Sequence, residues 1–160
     1  MKRLGLVVAM VLLGSLSQAA DLQDRNKAVA RRVFDEIFNR GRFEVAGEIY
    51  ASDFVNHARN RDVALAEDQA WARVWREASA DLKMTVTLMI AEDDLVAVLW
   101  RGVGTHTGSF QGLPPTGKKL EGRGITIWRI VNGRIVEEWS EFDQRGLMEA
   151  LGAGQASPAR

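Results

Sequence analysis

The stretch Gly104–Glu121 constrains the fold most, because it interrupts two apolar runs of β type. It holds four glycines, the pair Pro114-Pro115 and one of only two histidines in the chain. Glycine and proline at this density stop regular structure and set specific turns. We therefore predict a shaped loop that joins two strands, with His106 at its entrance and Glu121 at its exit.

Apolar residues recur at every second position on both sides of this loop, which is typical of half-buried strands. Asn132-Gly133 is the strongest hairpin signal and predicts a two-residue turn of type I′. A polar turn at residues 92–94 predicts another hairpin. The predicted strands are Met84–Ile90, Leu95–Thr107, Leu120–Val131 and Arg134–Phe142.

Before the strands, apolar residues recur at spacings of three and four, which predicts amphipathic helices over residues 24–39, 43–50 and 63–80. Phe54–His57 lies between them as a brief extended segment, and Asp143 caps a last helix over Arg145–Leu151. Helices followed by an antiparallel meander indicate an α+β fold. We expect a cone, in which the N-terminal helices pack on a strongly curved, mostly antiparallel sheet around an internal pocket.

The composition excludes several classes of function. The 160 residues carry a formal net charge of zero, so neither a nucleic-acid nor an anionic-membrane surface is expected. No cysteine is present, which excludes disulfides, thiolate metal sites and a cysteine nucleophile. The two histidines lack the helical spacing of metal ligands, so no metal site is expected.

The N-terminus has the pattern of a secretory signal peptide. Lys2 and Arg3 precede an uncharged, mostly apolar run, Leu4–Leu13, and the small residues Ser17 and Ala19 follow. We predict a signal peptide over residues 1–20, a folded domain over 21–152 and a flexible tail over 153–160. The mature protein would be periplasmic or secreted and free of the membrane, and the alternative is a retained N-terminal anchor.

His106 and Glu121 are the candidate catalytic residues. His106 could act as a general acid or base, and it could equally have the structural role of holding its own loop together through hydrogen bonds. Glu121 would be a base if burial raised its pKa, and the alternative is an ion pair with Arg123 or Lys119. The sequence leaves both alternatives open.

Counting from the Asn132-Gly133 turn places Trp128 opposite Glu137. Glu121 and Arg123 then share one face of the sheet, but both faces are mixed and a single bulge would exchange them. The candidate substrate-binding residues also have structural alternatives. The aromatic residues would form part of the hydrophobic core, the histidine would hydrogen-bond to the backbone, and the aspartate would cap a helix. They are His57, Trp71, Trp75, Trp100, Phe110, Arg123 and Asp143.

Several segments resemble the SnoaL-like polyketide cyclases and the related ester cyclases. The opening Asn26–Gly41, the loop Gly104–Lys118 with Gly-Thr-His-Thr-Gly and Pro-Pro-Thr-Gly, and Asn132–Trp139 carry the resemblance. Asp53–His57 and Leu147–Gly152 support it. The resemblance implies the cone fold of the nuclear transport factor 2 superfamily, as a homodimer or larger assembly.

The resemblance also implies an enzyme that closes a ring by intramolecular aldol condensation, without cofactor or metal, on a small apolar ligand containing a carbonyl. The histidine of the family's loop falls on His106 and its acidic residue on or beside Glu121, where this chain has Glu in place of Asp. A predicted export signal does not fit intracellular polyketide chemistry, so we expect a different physiological substrate. The alternatives are a non-catalytic ligand-binding module and a related isomerase or hydrolase.

Overall fold

The structure, a computed structural model, describes residues 2–58 and 60–153, with side chains described from residue 17 onward. Most of the predicted signal peptide therefore lies outside the described side chains, and the predicted tail, apart from Ala153, lies outside the described residues. In the part of the chain that is described, no helix is long and apolar enough to cross a membrane.

The N-terminal helix, α1 (Lys2–Arg32), continues directly into a π-helical turn, Val33–Phe38. The predicted helix over residues 24–39 is thus present, but the helical backbone begins much earlier. Its buried face follows the three- and four-residue spacing of the sequence, and Gly41 ends the segment with φ +67°. The residues of that face are Ala30, Val33, Phe34 and Ile37.

The next segment differs from the prediction. A short 3₁₀ turn, Phe43–Val45, and helix α2 (Ala46–Ile49) lead into a nine-residue strand, β1 (Tyr50–Ala58), where only a brief extended segment was expected. Strand β2 (Arg61–Ala64) pairs back on β1, and helix α3 (Leu65–Ala78) follows. No local pattern predicts β1 as a full strand, because its parallel partner, β6, is distant in the chain.

The predicted meander is present. Its strands are β3 (Lys83–Glu92), β4 (Leu95–Thr105), β5 (Lys119–Val131) and β6 (Arg134–Phe142), and helix α4 (Gln144–Leu151) follows. The six-stranded sheet has the order β2-β1-β6-β5-β4-β3, and β1 pairs with β6 in parallel while the other pairs are antiparallel.

The β5–β6 hairpin decides which side chains face the helices. Asn132 and Gly133 both have positive φ, 51° and 75°, as the predicted type I′ turn requires. A bulge then shifts the register, since Arg129 pairs with Glu137 while Ile130 pairs with Ile135. Trp128 consequently lies opposite Glu138 and not opposite Glu137, which corrects the expected register.

Candidate active site

A cavity of about 570 Å³ lies between the inner face of the sheet and the helices. Most of its lining is aromatic or aliphatic, which suits an apolar ligand. β5 and β6 supply the deep polar groups, α3 supplies one wall, and the start of α4 lies at the edge. Its large apolar and aromatic residues include Phe34, Ile37, Tyr50, Trp75, Trp100 and Trp128.

Glu138 is the buried carboxyl group of this cavity. The bulge in β6 turns its side chain inward, beside Trp128 of the paired strand. The indole Nε1 of Trp128 donates a 2.7 Å hydrogen bond to Oε2, and Ser140 Oγ donates one of 2.8 Å to Oε1. Two polar side chains on neighbouring strands therefore fix the position of the carboxyl group.

The direction of the hydrogen bonds behind Glu138 follows from chemistry. Trp100 Nε1 is only a donor and lies 3.0 Å from Thr126 Oγ1, so this hydroxyl accepts from it. Ser140 Oγ donates to Glu138, so Thr126 donates to Ser140 over 2.7 Å. The chain of donors from Trp100 ends on Glu138 and holds that carboxyl group in one orientation.

Asp68 on α3 supplies a second carboxyl group to the cavity. Asn56 Nδ2 on β1 lies 2.8 Å from Asp68 Oδ1 and 3.4 Å from Glu138 Oε1, so one amide contacts both acids. Gln69 Nε2 donates a 3.2 Å hydrogen bond to Asp68 Oδ2. The cavity thus holds two carboxyl groups bridged by an amide, and they come from opposite layers of the fold.

Burial changes the proton affinity of both groups. Loss of solvation, followed by the nearby charge of Asp68, raises the pKa of Glu138 to about 8, against the lowering effect of its bonds from Trp128 and Ser140. Loss of solvation also raises the pKa of Asp68, although its bonds from Asn56 and Gln69 oppose the change. Near neutral pH one carboxyl group can hold a proton while the other is ionised, which is the requirement for paired acid and base.

His106 lies in the loop that the sequence singled out, but it is fully buried and is not part of the cavity wall. Its Nδ1 lies 2.9 Å from Thr116 Oγ1, and its backbone bonds both Lys118 and Gly117. Its Nε2 has no hydrogen-bond partner among the described residues. These contacts correspond to the alternative in which the histidine ties its own loop together.

Glu121 points away from the cavity, on the outer face of β5, with 39% of its side chain exposed. It accepts a hydrogen bond from Arg101 and forms an ion pair with Lys119, and these two cations lower the pKa of its carboxyl group. The predicted acid/base pair of His106 and Glu121 is therefore not formed, because strand alternation turns Glu121 to the opposite side from buried Leu120.

Four of the predicted binding residues do line the cavity, namely Trp71, Trp75, Trp100 and Asp143. Trp71 is half exposed at the mouth, whereas Trp75 and Trp100 pack edge to face with 6.5 Å between ring centroids. Asp143 also caps α4, since its Oδ1 accepts a 2.9 Å hydrogen bond from Gly146 N.

The other three predicted binding residues lie elsewhere. Phe110 is buried behind Trp75, with ring centroids 5.2 Å apart, and so supports the wall without forming it. His57 stacks on Trp139 and lies 3.0 Å from Asp62, because its neighbour Asn56 takes the inward position on β1. Arg123 is exposed on the outer face of β5. His57 and Arg123 are thus corrected from pocket to surface residues.

Sequence reasoning missed Asp68, Asn56 and Glu138. Asp68 precedes Ala72 and Trp75 by four and seven residues, so it lies on the buried stripe of α3, and a carboxyl group at such a position is a usable signal. The inward position of Glu138 can be predicted only if the bulge in β6 is known. The position of Asn56 can be predicted only if the pairing of β1 with β6 is known.

The model of the SnoaL-like polyketide cyclases matches residues 28–151. The chain belongs to this family. The match spans α1 to α4 and therefore includes every residue of the carboxyl pair and its hydrogen-bond partners.

Among the relatives of this SnoaL-like protein is the nogalonic acid methyl ester cyclase of Streptomyces nogalater, 26% identical over 121 residues, or 72% of this chain and 89% of the relative. AclR, a candidate hydroxylase from Streptomyces galilaeus, has a solved structure that superposes with a TM-score of 0.75, at 27% identity over 81% of this chain and 97% of that chain. IdmH, a candidate polyketide cyclase from Streptomyces antibioticus, gives 0.70 at 27% identity over 79% and 98% of the two chains.

The family confirms the predicted α+β cone and the prediction of an enzyme of the cyclase type. Within the part of this SnoaL-like chain that the structure describes, no three His, Asp or Glu side chains are grouped as a metal site would require. That the reaction requires neither a cofactor nor a metal stays a prediction.

Proposed function

We propose that this SnoaL-like protein is a cyclase that uses Glu138 and Asp68 as its acid/base pair. The observation that carries the proposal is a buried Glu138, its pKa raised to about 8, which shares the amide of Asn56 with a second carboxyl group in an apolar cavity. Groups whose environments move their proton affinities into the neutral range are suited to proton transfer. These two residues replace His106 and Glu121 as the proposed catalytic residues.

The proposed reaction is an intramolecular aldol addition. Ionised Asp68 removes a proton from a carbon beside a carbonyl, and the resulting enolate carbon attacks a second carbonyl of the same molecule. A C–C bond forms, and Glu138 gives its proton to the new alkoxide oxygen. Transfer of a proton from Asp68 to Glu138 restores the starting state, so the proton count balances and no co-reactant is required.

The substrate that fits this proposal is a small, largely apolar molecule with two carbonyl groups. Aromatic walls from Phe34, Trp75, Trp100 and Trp128 favour a planar or unsaturated carbon skeleton. Such walls also exclude water, which would otherwise protonate an enolate before the ring closes.

Two probe reactions test the proposal without knowledge of the natural substrate. The first is exchange of the α-hydrogens of 2-acetylnaphthalene in D₂O, followed by NMR, and the second is ring closure of 2,6-heptanedione. We expect the wild-type protein to accelerate exchange, and Glu138→Gln and Asp68→Asn each to reduce this acceleration by roughly 10²-fold or more.

Glu121→Gln is the matched control, because it removes a glutamate carboxyl group from the outer face of the sheet. It should leave the exchange rate unchanged. A wild-type protein that binds these ketones but exchanges no hydrogen would favour the ligand-binding module. Full activity in Glu138→Gln, with loss in His106→Gln, would restore the original acid/base assignment and refute the present one.

We also propose export of the protein with removal of residues 1–20. The support is the order of charged, apolar and small residues at the N-terminus. The proposed function concerns the folded domain over residues 21–152 and does not depend on export.

A further inference from the structure

The reaction proposed for the cavity passes through an enolate, and the oxygen of this enolate carries negative charge in largely apolar surroundings. Asp68 holds the abstracted proton at that stage, and Glu138 keeps its own proton for the alkoxide of the second carbonyl. Neither carboxyl group therefore serves the enolate oxygen. A hydrogen-bond donor held where the charge develops lowers the barrier of such a step substantially.

Most hydrogen-bond donors that line the cavity are already paired with the carboxyl groups or with one another. The paired donors are Asn56, Gln69, Trp100, Thr126, Trp128 and Ser140. Among the buried side chains of the lining, two further donors remain, namely the hydroxyl group of Tyr50 and the indole N–H of Trp75. Neither hydrogen is donated to an acceptor within the part of the chain that the structure describes.

The positions of these two donors differ with respect to the acids. Trp75 follows Asp68 by seven residues on α3, which separates their backbones by about 10 Å, and its ring packs among three other aromatic rings. Tyr50 lies near both carboxyl groups, since the charges of Glu138 and Asp68 both act on its hydroxyl group. Tyr50 is therefore the donor that can reach an oxygen beside the carbon from which Asp68 removes a proton.

The ring of Tyr50 is fixed by its surroundings. It is only 2% exposed and begins β1. It packs edge to face on Phe54, with 4.8 Å between the ring centroids, and its backbone pairs with Ile135 on β6, the strand that carries Glu138. A hydroxyl group on such a ring is oriented before a ligand binds, so little reorganisation accompanies the reaction.

Tyr50 also keeps its proton at the pH at which the carboxyl pair would work. Burial is the main cause that raises the pKa of its hydroxyl group well above 10, and the charges of Glu138 and Asp68 act in the same direction. A hydrogen bond from the amide of Gln69 opposes the change. The carbonyl oxygen Oε1 of that amide has no partner among the described residues, so the hydrogen of Tyr50 is not donated to it.

We propose that the hydroxyl group of Tyr50 donates a hydrogen bond to the enolate oxygen, so that Tyr50 is a further catalytic residue of the proposed function, on which this inference rests. The proton stays on Tyr50 throughout, so the proton count of the reaction is unchanged. The ligands that fit this donor are planar molecules with an enol, enolate or phenol oxygen beside the carboxyl pair. They should bind more tightly than hydrocarbons of the same shape.

Tyr50→Phe tests the donor by binding, because it removes one oxygen and keeps the ring on Phe54. The probes are 2-naphthol, whose oxygen resembles that of an enolate, and naphthalene. We expect a roughly tenfold or greater loss of affinity for 2-naphthol and no change for naphthalene. Thr105→Val is the matched control, since its hydroxyl group bonds Asp81 outside the cavity. It should keep both affinities.

The exchange of α-hydrogens in 2-acetylnaphthalene tests the role in the reaction. Tyr50→Phe should lower the exchange rate by about 10²-fold. The midpoints of its pH profile should stay at the wild-type values, because Tyr50 acts on the enolate and the carboxyl groups remain. Shifted midpoints with an unchanged maximum rate would mean that Tyr50 acts only through the carboxyl groups, and would overturn the proposal.

Equal affinities of the wild type and Tyr50→Phe for 2-naphthol would also overturn it, provided that circular dichroism shows both proteins folded. Exchange that is lost in Glu138→Gln but kept in Tyr50→Phe would refute the role of Tyr50 and leave the carboxyl pair in place. A wild type that exchanges no hydrogen would refute the proposed acid/base function. In that case the comparison of 2-naphthol with naphthalene still decides whether Tyr50 is the donor of the cavity.

Discussion

Trp128 donates its indole hydrogen to Glu138 across the β5–β6 pair, over 2.7 Å. The bond exists because the bulge in β6 brings these two residues opposite each other. A glutamate that would otherwise face solvent is thereby placed in an apolar cavity, next to a second acid. The properties of the proposed active site follow from this single pairing.

The free energy of unfolding should decrease as the pH rises from about 4.5 to about 8. The reason is that burial raises the pKa of Glu138 to about 8 in the folded state, whereas the ordinary pKa of a glutamate, which applies in the unfolded state, is 4.5. Between these values the folded state binds more protons than the unfolded state, so alkali favours unfolding. The slope contributed by this one group is at most about 1.4 kcal/mol per pH unit. The raised pKa of Asp68 acts in the same direction.

Urea unfolding between pH 5 and pH 8.5 measures this dependence. Glu138→Gln should flatten the curve, while Glu121→Gln should leave the wild-type slope unchanged. An identical slope in the wild type and in Glu138→Gln would mean that Glu138 is not responsible.

His106→Ala should destabilise the protein without a specific effect on proton transfer. It removes a fully buried ring and the contact with Thr116, so we expect a loss of about 2–4 kcal/mol in the free energy of unfolding. Thr116→Val removes only the hydroxyl group and should cost about 1 kcal/mol. Chemical denaturation and the ketone exchange rate, measured below the midpoint, separate the two effects. A stable but inactive His106→Ala protein would indicate a catalytic role.

Gly108→Ala should be strongly destabilising, because a Cβ at this position would lie 1.9 Å from the backbone oxygen of Glu77. The loop and the end of α3 would have to separate, at an expected cost of about 2 kcal/mol or more. Gly47→Ala is the control, since among the described residues a Cβ there would meet no atom within 4 Å beyond its own helix backbone and chain neighbours, and alanine favours the helix. Comparable melting temperatures for the two variants would contradict this account of the loop.

Expression in a Gram-negative host should yield a chain that is shorter by about twenty residues and located in the periplasm. Intact mass and N-terminal sequencing of the fractionated protein measure this directly. Replacement of Ala19 by a bulky residue should block the cleavage, because the processing enzyme requires small side chains before the cut. Recovery of the full-length wild-type chain in the cytoplasm would refute export.

Local sequence signals predicted the meander and most helices, because each depends on residues close together in the chain. Asn132 and Gly133 accept positive φ, so the β5–β6 turn was predictable at the level of individual residues. The apolar spacing likewise predicted helices α1 and α3 and the burial of Trp75, although Trp71 on α3 is half exposed. The resemblance to the family implied the cone fold.

The site was harder to predict, since it depends on pairings between distant residues. Asn56 reaches Glu138, 82 positions further along the chain, only because β1 joins β6 in parallel. The bulge at Val136 has no local sequence signal, yet it decides which of two adjacent glutamates enters the cavity. The place of Glu121 in the chain predicted a catalytic role, but the alternation of side chains along β5 turns it to the surface.

The two adjacent glutamates, Glu137 and Glu138, give the hairpin an unusual tolerance. If the bulge at Val136 were lost with every residue kept, β6 would slip by one position and its two faces would exchange. Glu137 would then lie opposite Trp128 in place of Glu138, so each face would still receive one carboxylate. Such a slip would remove the contacts of Ser140 and Asn56 with the carboxyl group, but the cavity would still contain a glutamate carboxyl group. A variant whose strand slips in this way would therefore keep a carboxyl group in the cavity, from which a different specificity could be selected.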